Sequence, residues 1–310
     1  MDEETLRSKF LGSLIGTAVG DALGASVEGW YTVTGGQIQS LADRVGLLVY
    51  TDDTHMAIGV AESLIEKKGF DGEHMAHTFV RNYDREPFRG YGPGPPRIFG
   101  MIKGGEAWDQ AAEKLYSGGS YGNGSAMRIA PVGIFYHDDP TTLKEVAYKS
   151  SHITHAHELG KQGAALQACA IALATMAEPS SPFASDDFIK GLKDFVDHDV
   201  YQQKLRSIES LIGQWDKAKV VLELGHSIEA FNSVPTAIYS FLTHSRSFAG
   251  AVLYAISLGG DTDTIAAMTG AISGAYLGIE AIPETWKQRL ENREYIEELA
   301  EKLWLIKTKG

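Results

Sequence analysis

The chain is poor in the features that would place it in a membrane or an oxidising compartment. It has one cysteine in 310 residues, Cys169, so no intrachain disulfide can form and a reducing setting suits it. Cys169 lies in the apolar run 168–174 and reads as a core residue. Long unbroken apolar runs are missing too. The stretches from Leu11 to Val27 and from Ala251 to Leu277 are interrupted by Asp21, Asp261 and Asp263, which makes them poor membrane spans and better buried helices. The start, Met1-Asp2-Glu3-Glu4, is acidic where a secretory signal is basic, so a cytoplasmic location without a membrane partner is expected. Positive charge is scarce: 28 Lys and Arg against 40 Asp and Glu give a net charge of −12. That balance argues against a nucleic-acid partner, which needs clustered cations, and an anionic ligand would require a local trap. Sustained period-2 alternation and solenoid repeats are nearly or wholly absent. No linker divides the chain, and the biased patch Pro179-Ser180-Ser181-Pro182 is only a loop signal.

What is present is apolar periodicity near 3.6. It predicts helices at about 6–25, 54–68, 72–84, 124–136, 156–177, 185–213, 234–243, 247–258, 263–278 and 285–306. Small residues recur at close spacing, as in Gly12, Gly16 and Gly20, in Gly163, Ala164 and Ala168, and in Gly270, Ser273 and Gly274. Such surfaces let helix axes approach closely. The expectation is an all-α fold: a compact helical bundle forming a single domain over residues 1–310. No partner surface stands out, and a monomer is expected.

Two clusters of acids and hydroxyls, Thr51-Asp52-Asp53-Thr54 and Asp261-Thr262-Asp263-Thr264, lie roughly two hundred residues apart, and each opens a helical stretch. Helix capping would use one side chain of each, yet each supplies two carboxylates and two hydroxyls. Asp261 and Asp263 would stand about 200° apart on an ideal helix, so they converge only before the helix begins. Carboxylates crowded in this way are tolerated when hard cations sit between them. An oxygen-only donor set points to Mg²⁺ or Mn²⁺ rather than zinc.

Two glycine-rich loops, Arg89-Gly90-Tyr91-Gly92-Pro93-Gly94 and Gly118-Gly119-Ser120-Tyr121-Gly122-Asn123-Gly124-Ser125, can bring backbone close to a ligand. The second runs into an apolar helical pattern near Ala126, whose free N–H groups would trap phosphate. Neither follows a strand, so neither is a dinucleotide fingerprint. Turn-making glycines account for them equally well. The run Ser151-His152-Ile153-Thr154-His155-Ala156-His157 matches no zinc pattern of the H-E-x-x-H type; capping and ligand contacts at the next helix start are the better reading, with His155 donating to a phosphate or packing on a sugar. Tyr91 and Tyr121 could stack on a ring or simply pack. His74 and His77 are left on a solvated helix.

Taken together, Gly16-Thr17-Ala18-Val19-Gly20-Asp21-Ala22-Leu23-Gly24 with Glu28, Tyr50-Thr51-Asp52-Asp53-Thr54, Ser120-Tyr121-Gly122-Asn123-Gly124-Ser125-Ala126-Met127-Arg128 and Ser257-Leu258-Gly259-Gly260-Asp261-Thr262-Asp263-Thr264 resemble the ADP-ribosylhydrolases related to dinitrogenase reductase-activating glycohydrolase, over almost the whole chain. Residues 85–94 and 233–239 resemble the branch of the third mammalian ADP-ribosylhydrolase, which removes O-linked ADP-ribose, including the serine linkage, and acts on O-acetyl-ADP-ribose and poly(ADP-ribose). The resemblance implies an orthogonal helical bundle around a central cleft with two Mg²⁺ ions held by Thr51, Asp52, Asp53, Asp261, Asp263 and Thr264. It implies Glu28 as the catalytic carboxylate, and an ADP-ribose pocket lined by Gly90, Tyr91, Gly92, Gly94, Ser120, Tyr121, Gly122, His155 and Ile228. Pro93, Pro95 and Pro96 would stiffen the first loop and narrow the leaving-group side. Asp21 precedes Glu28 by seven residues; the two would share a face if the helix continued, making Asp21 a supporting partner. The implied partners are ADP-ribose-containing small molecules and ADP-ribosylated proteins. An arginine-linked ADP-ribose hydrolase, a metal-dependent phosphohydrolase and a pure ADP-ribose-binding module are the alternatives.

Overall fold

The computed structural model describes residues 1–43, 45–179, 183–214 and 216–309; Ser180, Ser181 and Pro182 of the expected loop lie outside the described residues. The first helices are α1 (Glu3–Gly24), α2 (Gly35–Ala42), α3 (Asp52–Lys67), α4 (Gly72–Arg85), α5 (Gly94–Lys103) and α6 (Ala111–Leu115). The middle of the chain forms α7 (Ala130–Phe135), α8 (Pro140–His152), α9 (Glu158–Met176), α10 (Ser185–Phe195), α11 (Asp199–Leu211) and α12 (Lys217–Leu224). The last are α13 (Ala230–Thr243), α14 (Phe248–Ser257), α15 (Thr262–Leu277), α16 (Glu284–Lys287) and α17 (Arg293–Lys309). Among the described residues there is no strand, only isolated bridges between Leu48 and Leu290 and between Gly122 and Glu229. The fold is all-α, as expected.

Its axis is the antiparallel pair α1 and α15. A methyl group added to Gly12, Gly16, Gly20 or Gly24 would sit 2.4, 2.3, 2.1 or 2.4 Å from the carbonyl oxygen of Gly274, Gly270, Ala266 or Thr262. Glycine at every fourth position therefore lets one backbone lie against the other, and Gly270 and Gly274 do the same from the facing side. Thr262 fastens the end of this seam by donating its hydroxyl to the Gly24 carbonyl at 2.9 Å. Residues 9–24 of α1 and 262–276 of α15 are buried on every face, the signature of core helices. The segment Glu3–Val27 is long and apolar enough to cross a membrane, but 89% of its apolar window is packed inside the protein. Cys169 is buried in α9.

Several expected boundaries move, for identifiable reasons. Residues 185–213 form two helices, because His198 caps α11 by accepting from the Val200 N–H at 3.2 Å. The stretch 285–306 likewise divides into α16 and α17, with Asn292 between them at φ +51°. The helix expected at 124–136 begins only at Ala130; the preceding residues turn, with Ala126 N and Met127 N both donating to the Asn123 carbonyl. Helix α5 starts among prolines, which fit the first turn of a helix because their missing N–H has no partner there.

Candidate active site

The two acid clusters meet because each is anchored to something distant in sequence. Thr51 is the N-cap of α3 but makes no side-chain capping bond. Asp21, fully buried in α1, serves as the cap in its place. Its carboxylate accepts from Thr51 N at 3.0 Å, Thr51 Oγ1 at 2.8 Å, Thr54 N at 3.0 Å and Thr54 Oγ1 at 2.6 Å. Burial pushes the Asp21 pKa up, and these hydrogen bonds pull it back. The partner of Asp21 is therefore the start of α3 rather than Glu28. Glu28 lies in the turn that follows α1 and the 3₁₀ turn Ala25–Val27, so the helix face it was expected to share with Asp21 does not exist.

Glu28 is brought to the second cluster by its neighbours. Gly29 N donates to the Gly260 carbonyl and Gly260 N to the Trp30 carbonyl, both at 2.8 Å. Gly259 and Gly260 have φ of +74° and +76°, and a methyl on Gly260 would sit 2.0 Å from the His226 carbonyl oxygen; only glycine makes this turn. Asp261 N donates to that same carbonyl at 2.8 Å, and Asp261 Oδ2 accepts from the Asn123 amide, which also donates to Ser233 Oγ at 3.0 Å. The result is a set of carboxylate oxygens from Glu28, Asp261 and Asp263 within 4.8 Å of one another. Thr51 and Thr264 hydroxyls approach Asp53 Oδ2 at 3.4 and 3.5 Å and join this set to the first cluster.

The electrostatics are those of a cation site. Burial, then the Asp21 charge, push Asp52 up to about 7; burial, then the Asp261 charge, push Asp263 up to about 9. Asp53 is raised well above its ordinary value by burial and by the charges of Asp21, Asp263 and other acids around it. Asp53 Oδ1 is buried without a hydrogen-bond partner. Paired or metal-bound charges are the usual remedy for such a cluster, and its oxygen donors suit a hard cation.

These groups line one cavity of about 320 Å³. Its walls include Glu28, all six expected metal-site residues (Thr51, Asp52, Asp53, Asp261, Asp263 and Thr264), and Gly90, Gly92, Gly94, Ser120, Gly122, His155 and Ile228. Arg89 fixes the first loop: its guanidinium donates to Glu291 at 2.8 and 3.0 Å and to the Tyr50 carbonyl at 3.2 Å. The second loop is held by Asn123 N donating to the Ile228 carbonyl at 2.9 Å and by Ala230 N donating to the Tyr121 carbonyl at 3.0 Å.

Two expected lining residues stand elsewhere. Tyr91 turns inward, its hydroxyl 2.9 Å from His55 Nδ1 and its ring packed among Tyr83 and Phe99. Tyr121 packs outward on His157 and Phe231. In both cases an aromatic surface is available in the protein itself. The phosphate trap expected after Gly124 is corrected too, since no helix starts there. Helix α5 does start at the cavity wall, but Pro95 and Pro96 remove two N–H groups from its first turn. The capping expected at the start of α9 is made by His157, which accepts from the Leu159 N–H. Met56, Tyr116, Asn123, Met127 and Thr154 also line the cavity; of these only Asn123, inside a glycine loop, carries a signal in the sequence.

The comparisons agree along the whole chain. Residues 2–309 match the profile of the family described as ADP-ribosylglycohydrolase. The chain is 37% identical to ADP-ribosylhydrolase ARH3 of Homo sapiens, covering 96% of this chain and 93% of that one. It is 26% identical to ADP-ribosyl-[dinitrogen reductase] glycohydrolase of Rhodospirillum rubrum, covering 94% and 93%. A solved ADP-ribosylglycohydrolase-related protein complex superposes with a TM-score of 0.76 at 25% identity, covering 98% of this chain and 100% of its counterpart. Profile, relatives and fold lead to one conclusion: the chain belongs to the ADP-ribosylglycohydrolase family and is a glycohydrolase.

Proposed function

We propose that the protein is a magnesium-dependent hydrolase of O-linked ADP-ribose, acting on serine-ADP-ribose and O-acetyl-ADP-ribose, with poly(ADP-ribose) as a further substrate. The observation that carries this reading is the meeting of Glu28 with Asp261 and Asp263, their oxygens within 4.8 Å, at the wall of a cavity shared with both glycine loops. The greater identity to ARH3 than to the dinitrogen reductase enzyme, 37% against 26%, supports the O-linked branch.

Hydrolysis at the anomeric carbon breaks the bond to the leaving oxygen and forms one to water, through an oxocarbenium-like state. Thr51, Asp52, Asp53, Asp261, Asp263 and Thr264 would hold two Mg²⁺ ions, with Mn²⁺ as a substitute. Bound there, the ions supply Lewis acidity toward the ribose hydroxyls and the water. Glu28 handles the proton, for the water or for the leaving oxygen. Its position at an exposed turn, held by the Gly29 and Gly260 backbone beside Asp261 and Asp263, supports that role. The glycine loops and His155 hold the remainder of ADP-ribose and so fix the anomeric carbon.

The test is release of intact ADP-ribose from paired peptides carrying serine-linked or arginine-linked modification, each with magnesium and with chelator. Magnesium-dependent cleavage of the serine linkage alone is expected. Cleavage of the arginine linkage would move the protein to the other branch, and release of AMP would make it a phosphohydrolase.

A further inference from the structure

The largest fully buried side chain among the described residues is a cation. Arg128 has no carboxylate in ion-pair contact among the described residues. It lies over the Phe79 ring at 4.7 Å and donates from Nη2 to the Ser150 carbonyl at 2.9 Å and from Nη1 to Thr154 Oγ1 at 2.8 Å. Burial lowers its pKa to about 9, still cationic at neutral pH. A buried guanidinium has to direct its protons to acceptors, and one of the acceptors here is a hydroxyl that itself has a second partner. Thr154 Oγ1 lies 2.8 Å from His155 Nδ1.

One arrangement pairs the Thr154 hydroxyl in both directions within the protein. In it, Thr154 Oγ1 accepts a hydrogen bond from Arg128 Nη1 and donates its own proton to His155 Nδ1, the acceptor within reach among the described residues. Nδ1 is then the unprotonated nitrogen, and the neutral ring carries its proton on Nε2. Burial, together with the Arg128 charge, keeps the ring neutral by pushing its pKa down to about 3. The Nε2 edge lies against the second glycine loop at the cavity wall: methyl groups placed on Gly122 and Gly124, which line the cavity with His155, would sit 3.3 and 3.0 Å from Nε2.

We propose that Arg128 and Thr154 are positioning residues that lock His155 in its Nε2–H tautomer, making it an obligate, uncharged hydrogen-bond donor to an anionic oxygen of the ligand. In this arrangement His155 takes no part in proton transfer. The direction of its hydrogen bond is set from behind by a charge that never touches the ligand. The ligand part of this inference rests on the reading of the cavity as an ADP-ribose site.

The experiment is ¹⁵N NMR of histidine-labelled full-length protein, with His155 assigned by its absence in His155→Gln, alongside calorimetric binding of ADP-ribose in the presence of magnesium. In the wild type, the His155 signals should report protonated Nε2 and unprotonated Nδ1. Thr154→Val should abolish that preference and weaken ADP-ribose binding on the order of ten-fold; Thr154→Ser should restore both. Because Thr154 also lines the cavity, the tautomer signature separates the relay from a lost direct contact. An Nδ1–H tautomer in the wild type, or an unchanged spectrum in Thr154→Val, would overturn the relay. Unchanged affinity in Thr154→Val would overturn the donor role. If the wild type binds no ADP-ribose, the proposed function and the donor role fall together, while the spectrum still decides the relay.

Discussion

The seam between α1 and α15 and the cleft at its end are built from neighbouring residues and obey opposite rules. Along the seam, backbone meets backbone at glycine, and nothing charged is present between Gly12 and Gly20. Four residues past Gly20, the same pair of helices opens onto Asp263, and the next segment carries Glu28 to it. The seam gains from close packing; the cleft holds carboxylates whose burial raises their pKa values. The difference points to a division of labour: a packed axis fixes where the acids stand, and the acids are left crowded and buried, in an arrangement that could hold a metal ion.

If that division holds, removing the cleft's chemistry should leave the fold untouched. Glu28→Gln should lower turnover roughly 10²- to 10⁴-fold, the usual range for a general acid or base, because the residue is exposed and its placement depends on the backbone around Gly29 and Gly260. Thermal melting and ADP-ribose binding should stay near wild type. A comparable loss of stability would place Glu28 in the scaffold instead. The complementary break is Gly16→Val. Even its first added carbon would lie 2.3 Å from the Gly270 carbonyl oxygen, a contact with backbone that cannot move aside. Overpacking costs typically 1–3 kcal/mol and more where the backbone must shift, so denaturant unfolding should show a loss of about 3 kcal/mol or greater.

Asp21 tests where the two regions join. Asp21→Asn keeps the shape but turns one acceptor into a donor that faces the donors of Thr51 and Thr54. The expected cost is about 1–3 kcal/mol, with a higher magnesium concentration needed for half-maximal activity, since α3 would present Asp52 and Asp53 less firmly. A stability loss without any change in magnesium requirement would separate the scaffold from the site.

What the sequence discloses follows the same boundary between local and distant. Both acid clusters are contiguous, and each begins a helix, so their chemistry and their placement can be read directly. The glycines of α1 and α15 announce close packing through their spacing alone. Glu28 is different: its approach to Asp261 depends on Gly29 bonding to Gly260, which no local pattern encodes, and only family resemblance singles it out. Asp21 stands out for its spacing from Glu28, yet its partners are in α3. Helix α8 is illegible in the sequence because Leu143, Val146 and Ala147 are its only buried apolar positions. Around Ala126 the apolar pattern imitates a helix while Arg128 points into the core. Loop position suggests a ligand for Tyr91 and Tyr121, but aromatic neighbours claim both.

The last expected effect concerns the cleft's charge and carries a definite sign. Asp52 and Asp263 have ordinary values of 3.8 and are raised to about 7 and about 9 in the fold. A carboxyl raised in this way favours the folded state when protonated. Its contribution is complete below about pH 4 and is lost as pH rises through the folded values. Between pH 5 and 9, protein held in chelator should therefore melt at progressively lower temperature. Magnesium should act in the opposite direction, because it binds the ionised carboxylates of the folded state and stabilises that state in proportion to occupancy. Melting curves with and without magnesium should accordingly diverge as pH rises, and Asp263→Asn should flatten the chelator series by removing one titrating group. Parallel curves at every pH would mean that the crowded acids are neutralised by something other than a divalent cation, and the contrast between seam and cleft would lose its electrostatic half.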